Sequence, residues 1–441
     1  MKKRYFGKQK KEPGLGRIIL ALAAVMGVLV LASYLYRHGG DVFSRMRSGS
    51  GESAAQAVEQ ARLLLEQGDA AAAAEALRPA LRSGDPVTGP KAVILQADID
   101  TAAGKPAEAL KRLEAAVATF RSSPEFPALT VRLARELERA GRAEEARTLY
   151  ESLRDNAPPE MQAFGLCGLG RLTEAGGDLV AARDLFRDAV ERAPWDGPAW
   201  NEAVEPLGRL NTTLIFSRQE TPESRFYTVE KGDNITSIGI KLNTTQGLLL
   251  QANGLSENPM LNLGQRLKYT PKDFHIVIER STCRLFLLDN RGIFKMYRVG
   301  LGKPGHETAL GKHIIGVKQK DPVWFKPGFG PIQPGDPANE LGTRWMPLIP
   351  QEEGLPKDLG IHGTIAPETV GHYSSHGCAR MVNAEVEELW DLVVRSTPVA
   401  IVETYTPGMS LEPSDAKEAS GAKSGADSPV EGAVAAPAGG E

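Results

Sequence analysis

The chain has 441 residues, 24% of them charged, and a formal net charge of −3. This length is more than one hydrophobic core usually serves, so we expect several domains. The small net charge gives no case for a nucleic-acid partner. Three scattered cysteines, Cys167, Cys283 and Cys378, are too few for a disulfide framework.

The N-terminal part of the chain predicts a membrane anchor. Residues 18–36 form an apolar run with only Gly27 and Ser33 as mild interruptions. A helix of this length spans ~28 Å, which matches the ~30 Å hydrocarbon core of a bilayer. Segment 1–17 is basic, so the positive-inside rule keeps it in the cytoplasm and exports the rest. A cleaved signal peptide is the alternative, but its apolar core is only ~7–15 residues long and ends at a small-x-small site. We expect a single-pass inner-membrane protein whose main part is periplasmic or otherwise extracytoplasmic.

A Gly-, Ser- and Arg-rich linker, 37–51, leads into a helical region at 52–208. Four glycines recur there at intervals of 36, 37 and 36 residues, namely Gly68, Gly104, Gly141 and Gly177. Nine residues after each glycine comes a large apolar residue, namely Leu77, Leu113, Tyr150 and Phe186, and an alanine lies between. A glycine turn followed by this pair is typical of a helical hairpin, and the pattern resembles tetratricopeptide repeats stacked as a solenoid.

The role of this solenoid has two alternatives, a plain spacer or a binding surface for a protein partner. Region 52–208 contains no histidine that could act as a base. Its cysteine, Cys167, lies among apolar residues, as does Cys283, and both are expected to be core residues. We therefore expect the chemistry to reside within 225–405.

Residues 225–271 predict a strand, two helices and a closing strand. Asp233 is the expected N-cap of the first helix, and Thr244 or Thr245 that of the second. The run Tyr-x-Val-x-x-Gly-Asp, followed by Asn-Gly-Leu and Gly-Gln-x-Leu, resembles a LysM domain. The resemblance implies binding of N-acetylglucosamine-containing glycan by loops that contain Gly232, Asp233 and Asn253.

Residues 273–403 predict a mainly-β domain. Apolar runs indicate strands at 274–278, 285–288, 295–299 and 312–318. Long Pro- and Gly-rich loops follow from 320 to 358, and one helix is expected at 384–395. The tail at 407–441 has few large apolar residues and predicts disorder.

The run Ser-Ser-His-Gly-Cys-Ala-Arg-Met at 374–381 indicates the chemistry. Its cysteine, Cys378, follows His362 by sixteen residues. A cysteine with histidines in reach is the minimum for covalent acyl transfer, in which the thiolate attacks a carbonyl and an imidazole moves the proton. Gly377 leaves room for a substrate carbonyl to approach the thiol and nearby backbone N–H groups.

Two other interpretations of this run compete with acyl transfer. The first is a zinc site, since histidine and cysteine are legitimate ligands. Its ligands would be His362, His372, His376 and Cys378. The close spacing of His376 and Cys378 matches none of the usual ligand pairs, so we expect no metal and no cofactor. The second is a purely structural cysteine, but the polar, glycine-containing surroundings of Cys378 are unlike a core segment.

These residues also carry a family resemblance. His-Gly-Thr at 362–364, followed by Ser-His-Gly-Cys-Ala-Arg-Met-Val-Asn at 375–383, resembles the signature of bacterial L,D-transpeptidase catalytic domains. The similarity covers about 273–403. The chain departs from the usual pattern at Ala379, Glu385 and Glu340, and none of the three removes a group that the reaction needs.

The resemblance assigns roles to individual residues. It implies that Cys378 is the nucleophile and that His362 is the proton acceptor and donor, with its ring oriented by a backbone carbonyl such as that of Gly363. His376 would share a face with Cys378 if the segment between them is extended, and it is expected to support substrate or oxyanion. The residues expected to shape the substrate pocket are Gly363, Ser375, Gly377 and Arg380.

Together the resemblances imply a membrane-anchored peptidoglycan L,D-transpeptidase with a tetratricopeptide-like solenoid, a small α+β LysM domain and a mainly-β catalytic domain. In that family the cysteine attacks the third residue of a stem tetrapeptide and expels D-alanine. The acyl-enzyme is then captured by the amine of another stem, of a lipoprotein or of a free D-amino acid, in wall crosslinking or remodelling. Capture by water would make the enzyme an L,D-carboxypeptidase or amidase. A wall-binding scaffold with vestigial catalysis is the alternative from another class.

Overall fold

The computed structural model describes residues 54–326 and 328–409. Within those two ranges, no helix combines the length and apolar character that are needed to cross a membrane. The predicted anchor at 18–36, the linker at 37–51 and the tail beyond 409 lie outside the described residues. The chain divides into two compact units between residues 129 and 130.

Helices come first along the described part of the chain. They are α1 (Ala54–Glu66), α2 (Ala70–Arg82), α3 (Thr88–Ala102), α4 (Pro106–Thr119), α5 (Phe126–Arg139), α6 (Ala143–Asn156), α7 (Pro159–Ala175), α8 (Leu179–Arg192) and α9 (Pro198–Phe216). Their succession confirms the helical region that the sequence predicts.

The repeat pattern has a direct structural explanation. The four recurrent glycines lie in the turns between paired helices, with φ from 76° to 89°. Residues with a Cβ rarely adopt this left-handed conformation, which accounts for glycine at each turn. The alanines and large apolar residues that follow are fully buried, namely Ala73, Ala109, Ala146, Ala182, Leu77, Leu113, Tyr150 and Phe186. Each hairpin therefore places the same two positions in the core, and the predicted repeat is confirmed.

The last helix is longer than expected. We predicted that the helical region ends at 208, but α9 continues to Phe216. Its final turns are not solvated, because Leu210, Leu214 and Ile215 are all buried. The boundary at 208 was therefore wrong.

The surface that buries α9 belongs to the β-rich part of the chain. A Cβ on Gly208 would come within 2.9 Å of Cγ of Lys295. Asn211 donates from Nδ2 to the carbonyl oxygen of Phe294 at 2.8 Å. The backbone of α9 thus lies directly on the strand β5 (Gly292–Arg298), an approach that only glycine permits at position 208.

The next module has the predicted βααβ order, with β1 (Arg225–Thr228), α10 (Ile235–Lys241), α11 (Gln246–Asn253) and β2 (Arg266–Tyr269). The two strands pair antiparallel. The predicted core residues Ile235, Leu249 and Leu267 are buried.

One expected helix cap in this module was wrong. Asn234 is the N-cap of α10, since its side chain accepts from the backbone N–H of Ser237 and the hydroxyl of Ser237 accepts from the backbone N–H of Asn234. Asp233 instead accepts from the Tyr227 hydroxyl at 2.7 Å. Thr245 caps α11, as one of our two alternatives predicted.

This module is tied to its neighbours by hydrogen bonds. Thr245 donates to the carbonyl oxygen of Asp391, and Gln251 donates to the Asp391 carboxylate at 2.7 Å. The buried Lys268 donates from Nζ to the carbonyl oxygens of Leu214 and Ser217, at 3.0 and 2.7 Å. The ammonium of Lys268 thereby satisfies carbonyl groups at the C-terminus of α9.

The remaining described residues form a mainly-β domain. Its strands are β3 (His275–Glu279), β4 (Arg284–Asp289), β5, β6 (Leu301–Gly302), β7 (Gly311–Ile315), β8 (Gln319–Lys320), β9 (Trp324–Lys326), β10 (Gly330–Ile332), β11 (Arg344–Pro350), β12 (Gly360–His362), β13 (Tyr373–Ser375), β14 (Ala379–Arg380) and β15 (Pro398–Val402). The main sheet has the order β14-β12-β11-β7-β15-β3-β4-β5, and β8 also pairs with β11.

Both faces of this sheet are covered. Ile276 and Ile278 pack with the core that includes Val386, while Val277, between them, packs with Leu207 of α9. Successive side chains of a strand point to opposite faces of the sheet. A strand that is buried on both faces therefore has apolar residues at consecutive positions in its sequence. This is why the strand predictions at 274–278 and 285–288 came close to the observed bounds.

Two predictions in this domain need correction. The region 320–358 is not only loop, because it contains β11 in the middle of the sheet, with Met346 and Leu348 buried. The helix α12 spans Asn383–Leu392 and ends earlier than residue 395. The ammonium of Lys318 donates to the carbonyl oxygens of Trp390 and Val393 there, both at 2.7 Å.

Candidate active site

Two short parallel strands position the predicted nucleophile and base. In the register of β12 and β14, Ile361 is opposite Ala379 and His362 is opposite Arg380. Ile361 and Ala379 point into the core, where both are buried. The side chain of His362, one residue further along, therefore points to the other face, and Cys378 lies immediately before β14. The pairing brings the two predicted catalytic residues to the same edge of the sheet.

The imidazole of His362 is held in one tautomer. Its Nδ1 donates to the carbonyl oxygen of Gly363 at 2.7 Å, because a carbonyl can only accept. Its ring lies 5.7 Å from that of Trp345 and is 4% exposed. Burial, and next the charge of Arg380, lower the pKa of His362 to about 4. The ring is thus neutral at physiological pH, and with the proton on Nδ1 its Nε2 has a lone pair.

The thiol of Cys378 is protonated in this state. Burial raises its pKa to about 11. The thiol donates to the carbonyl oxygen of Asp358 at 3.7 Å. Cys378 is therefore a neutral thiol and His362 a neutral imidazole in this structure.

The loop before Cys378 is shaped by Ser375 and Gly377. The buried Ser375 hydroxyl donates to the carbonyl oxygen of Cys378 at 2.7 Å and accepts from the backbone N–H of Gly377 at 3.1 Å. Gly377 has φ of 121°, which strains any residue with a Cβ. Segment 376–378 is therefore a bend, so the extended conformation that would put His376 and Cys378 on one face is not present.

The side-chain amide of Asn383 supports the backbone next to His362. The side-chain oxygen of Asn383 accepts from the backbone N–H of Thr364 at 3.1 Å. It lies so close to Gly363 and Gly342 that a Cβ on either would come within 2.2 or 2.3 Å of it. Gly363, predicted to line the substrate pocket, thus lets Asn383 approach the backbone beside His362. The family signature included Asn383, but sequence reasoning gave it no role.

Arg380 and His376 lie in a charged environment. Arg380 pairs with Glu340 at 3.1 Å, so one of the chain's departures from the family pattern contacts a predicted pocket residue. His376 is exposed, and its Nε2 lies 3.0 Å from Nζ of Lys303. Its ring centroid lies 5.0 Å from that of His306. Sequence reasoning missed Lys303 and His306, for which the only signal was a basic residue and a histidine around a Pro-Gly turn.

The predicted glycan-binding residues have mainly structural contacts. Asp233 accepts from Tyr227, from the backbone N–H of Glu230 and from Lys241, and the hydrogen bond from Lys241, the largest cause, lowers its pKa to about 2. Asn253 exchanges two hydrogen bonds with the backbone of Lys268. Gly232 lies in an exposed turn with φ of 90°.

Among the residues described, no group of three His, Cys, Asp or Glu side chains is arranged to hold a metal ion.

Comparison with known families agrees with the order of the modules. The family model of the L,D-transpeptidase catalytic domain matches residues 273–401, and that of the LysM domain matches 227–270. Tetratricopeptide-repeat models match 58–99 and 100–167.

Individual proteins are also similar. YkuD of Bacillus subtilis (strain 168) is 31% identical to this chain over 182 residues. These residues are 40% of this chain and 97% of YkuD, whose name describes it provisionally as an L,D-transpeptidase. YqjB of the same organism, named in the same way, is 31% identical over 34% of this chain and 77% of its own length. An L,D-transpeptidase structure from Mycobacterium tuberculosis H37Rv aligns with a TM-score of 0.25 and 13% identity, over 32% of this chain and 64% of that one.

Proposed function

Because this chain belongs to the L,D-transpeptidase family, we propose that it transfers peptidoglycan stem peptides through an acyl-enzyme on Cys378. The observation that carries the proposal is the hydrogen bond from Nδ1 of His362 to Gly363. It leaves Nε2 as an acceptor at the sheet edge where Cys378 lies, as a general base for a thiol requires.

Acylation follows from this arrangement. The Cys378 sulfur attacks the carbonyl carbon of the third stem residue as Nε2 of His362 takes the thiol proton. The C–N bond to the terminal D-amino acid then breaks, and the imidazolium returns its proton to the leaving amine. The resting neutrality of both groups favours proton transfer during the attack over a preformed thiolate–imidazolium pair.

Deacylation completes the transfer. An acceptor amine gives a proton to His362 and attacks the thioester carbonyl, and the sulfur leaves with that proton. A stem amine would yield a wall crosslink, a lipoprotein amine would yield wall attachment, and water would yield hydrolysis. We propose stem crosslinking or remodelling as the main outcome.

We also propose that the protein acts on the wall from the membrane. The support is the apolar run at 18–36 with its basic flank, together with a LysM domain, a class of module that implies a glycan partner. N-terminal sequencing of the mature protein tests the anchor. A mature chain that begins beyond residue 37 would leave a soluble exported enzyme instead.

The proposed reaction is tested by mass spectrometry of the intact protein after incubation with a stem tetrapeptide. We expect the mass of the tripeptide acyl group on Cys378, and none on Cys378→Ala. Wall fragments from cells with and without the protein then identify the acceptor. A protein that never acquires the acyl mass and leaves the wall fragments unchanged would favour the scaffold alternative.

A further inference from the structure

A group of basic side chains contacts the loop that leads to Cys378, through His376 and the backbone of Ser375. Lys303 follows β6, which pairs with β13 of the catalytic loop, and its backbone N–H donates to the carbonyl oxygen of Ser375 at 2.9 Å. This places Lys303 beside His376, with Nζ 3.0 Å from Nε2. The ring of His306 packs edge-on against the ring of His376. Lys303, His306 and His376 are here called the basic cluster.

The carboxylates that interact with the basic cluster also have other partners. Among the described residues, no acidic side chain forms an ion pair with Lys303. Glu340, whose charge acts on His376, is shared by Arg380 at 3.1 Å and Lys326 at 3.6 Å, and Glu307 acts on His306. Glu307 accepts from the backbone N–H of Gly305 at 2.9 Å, in the turn that carries His306. Positive charge is therefore in excess at this edge of the site.

The contact between Lys303 and His376 fixes the state of that histidine. An ammonium group has only donors, so Nε2 must accept and the ring is neutral with its proton on Nδ1. Burial, and next the charges of Lys303 and His306, lower the pKa of His376. Lys303 uses one of its three N–H donors on the ring, so two donors remain for a ligand.

We propose that the basic cluster is a carboxylate subsite, in which Lys303 and His306 bind a carboxylate of the stem peptide while Cys378 is acylated. The inference rests on the proposed function and deepens it, because it assigns substrate selection to Lys303 and His306. His376 precedes Cys378 by two residues in the same loop, and the stem peptide has carboxylates within one or two residues of the bond that breaks. The C-terminal carboxylate of the departing D-amino acid is one source, and a free side-chain carboxylate of the stem is the other.

Peptide affinity is measured by calorimetry on the full chain that carries Cys378→Ala. This variant cannot be acylated, so the measured affinity contains no contribution from turnover. Three ligands are compared: the stem tetrapeptide, its C-terminal amide, and the peptide amidated at its side-chain carboxylates. A hydrogen bond to a charged group contributes ~1.5–3 kcal/mol, so one amide should bind ~10- to 100-fold more weakly than the free acid. Weaker binding of the C-terminal amide would identify the C-terminal carboxylate as the ligand. Weaker binding of the other amidated peptide would identify a side-chain carboxylate.

Adding Lys303→Met should abolish the difference between acid and amide, whereas Lys303→Arg should preserve much of it. His306→Gln, a second variant, should reduce the difference without removing it. Lys320→Met is the matched control, since Lys320 is a lysine of the same domain that pairs with Glu257 outside the cluster.

Equal binding of all three peptides, no binding of any, or a difference that survives Lys303→Met would overturn the proposal. The acyl mass on wild-type Cys378 is measured separately, so a failed subsite is distinguishable from a failed transpeptidase.

Discussion

The hydroxyl of Ser375 donates a hydrogen bond to the carbonyl oxygen of Cys378, three residues further along, at 2.7 Å. The same hydroxyl accepts from the backbone N–H of Gly377. Ser375 thereby closes the bend that leads to Cys378, the proposed nucleophile, and both of its hydrogen bonds are internal to the protein.

Ser375→Ala should therefore act through the position of the loop. It leaves a buried backbone carbonyl and N–H without partners, which costs ~1–3 kcal/mol of the free energy of unfolding. We expect a lower Tm and a lower kcat with little change in KM. Ser374→Ala is the control, because the Ser374 hydroxyl binds the carbonyl oxygen of Thr369 instead. An equal effect of the two variants on kcat would contradict this role.

The two histidines should differ in their influence on the thiol. Alkylation of Cys378 should increase with pH toward about 11, where burial places the pKa of the thiol. His362→Ala removes a buried ring, admits water and should lower that pKa, so the profile moves to lower pH. His376→Ala removes an exposed ring and should move it less. Peptide mass spectrometry separates Cys378 from the buried Cys167 and Cys283.

The same pair of variants gives a kinetic prediction. His362→Ala should reduce kcat by ~10²–10⁴-fold, as the loss of a general base does. The neutral His362 should remain competent from its pKa of about 4 upward, so wild-type acylation should show no loss of the base between pH 5 and 8. If only His376→Ala moves the alkylation profile, the base assignment has to be exchanged.

The catalytic domain should require the last repeat. A chain of residues 126–409 keeps α9, whereas a chain of 225–409 exposes Val277 and Phe286, which are fully buried against the helical region. Burying one such side chain is worth ~1.5–3 kcal/mol, so the shorter chain should aggregate or melt at a much lower temperature. Comparable Tm and turnover for both would restore our original expectation that chemistry needs only 225–405.

The LysM domain should hold the protein on wall glycan. The full chain with Cys378→Ala, in which covalent capture cannot contribute, should be recovered on purified sacculi. Soluble N-acetylglucosamine oligomers should release the bound protein from the sacculi. Asn253→Ala should lower the Tm of the protein, because the two hydrogen bonds between Asn253 and the backbone of Lys268 are lost. Recovery no greater than that of a control protein of similar charge would contradict glycan binding.

The sequence by itself determined the modules and indicated the candidate site residues, because those signals are local. Glycines that recur every 36 or 37 residues must adopt a left-handed turn in each hairpin. The run from Ser375 to Asn383 holds the proposed nucleophile, the bend before it and the amide that accepts a hydrogen bond beside His362, all within nine residues.

The tertiary structure decided what depends on contacts between distant segments. It extended α9 to Phe216 because the sheet offered an apolar face, and it placed β11 in a region whose prolines and glycines indicated only loop. It brought Lys303 to His376 across seventy-three residues, a contact for which no local pattern exists. Helical and turn preferences act between neighbours in sequence, whereas burial and charge act between whichever groups the fold brings together, and a single chain read in order cannot reveal that pairing.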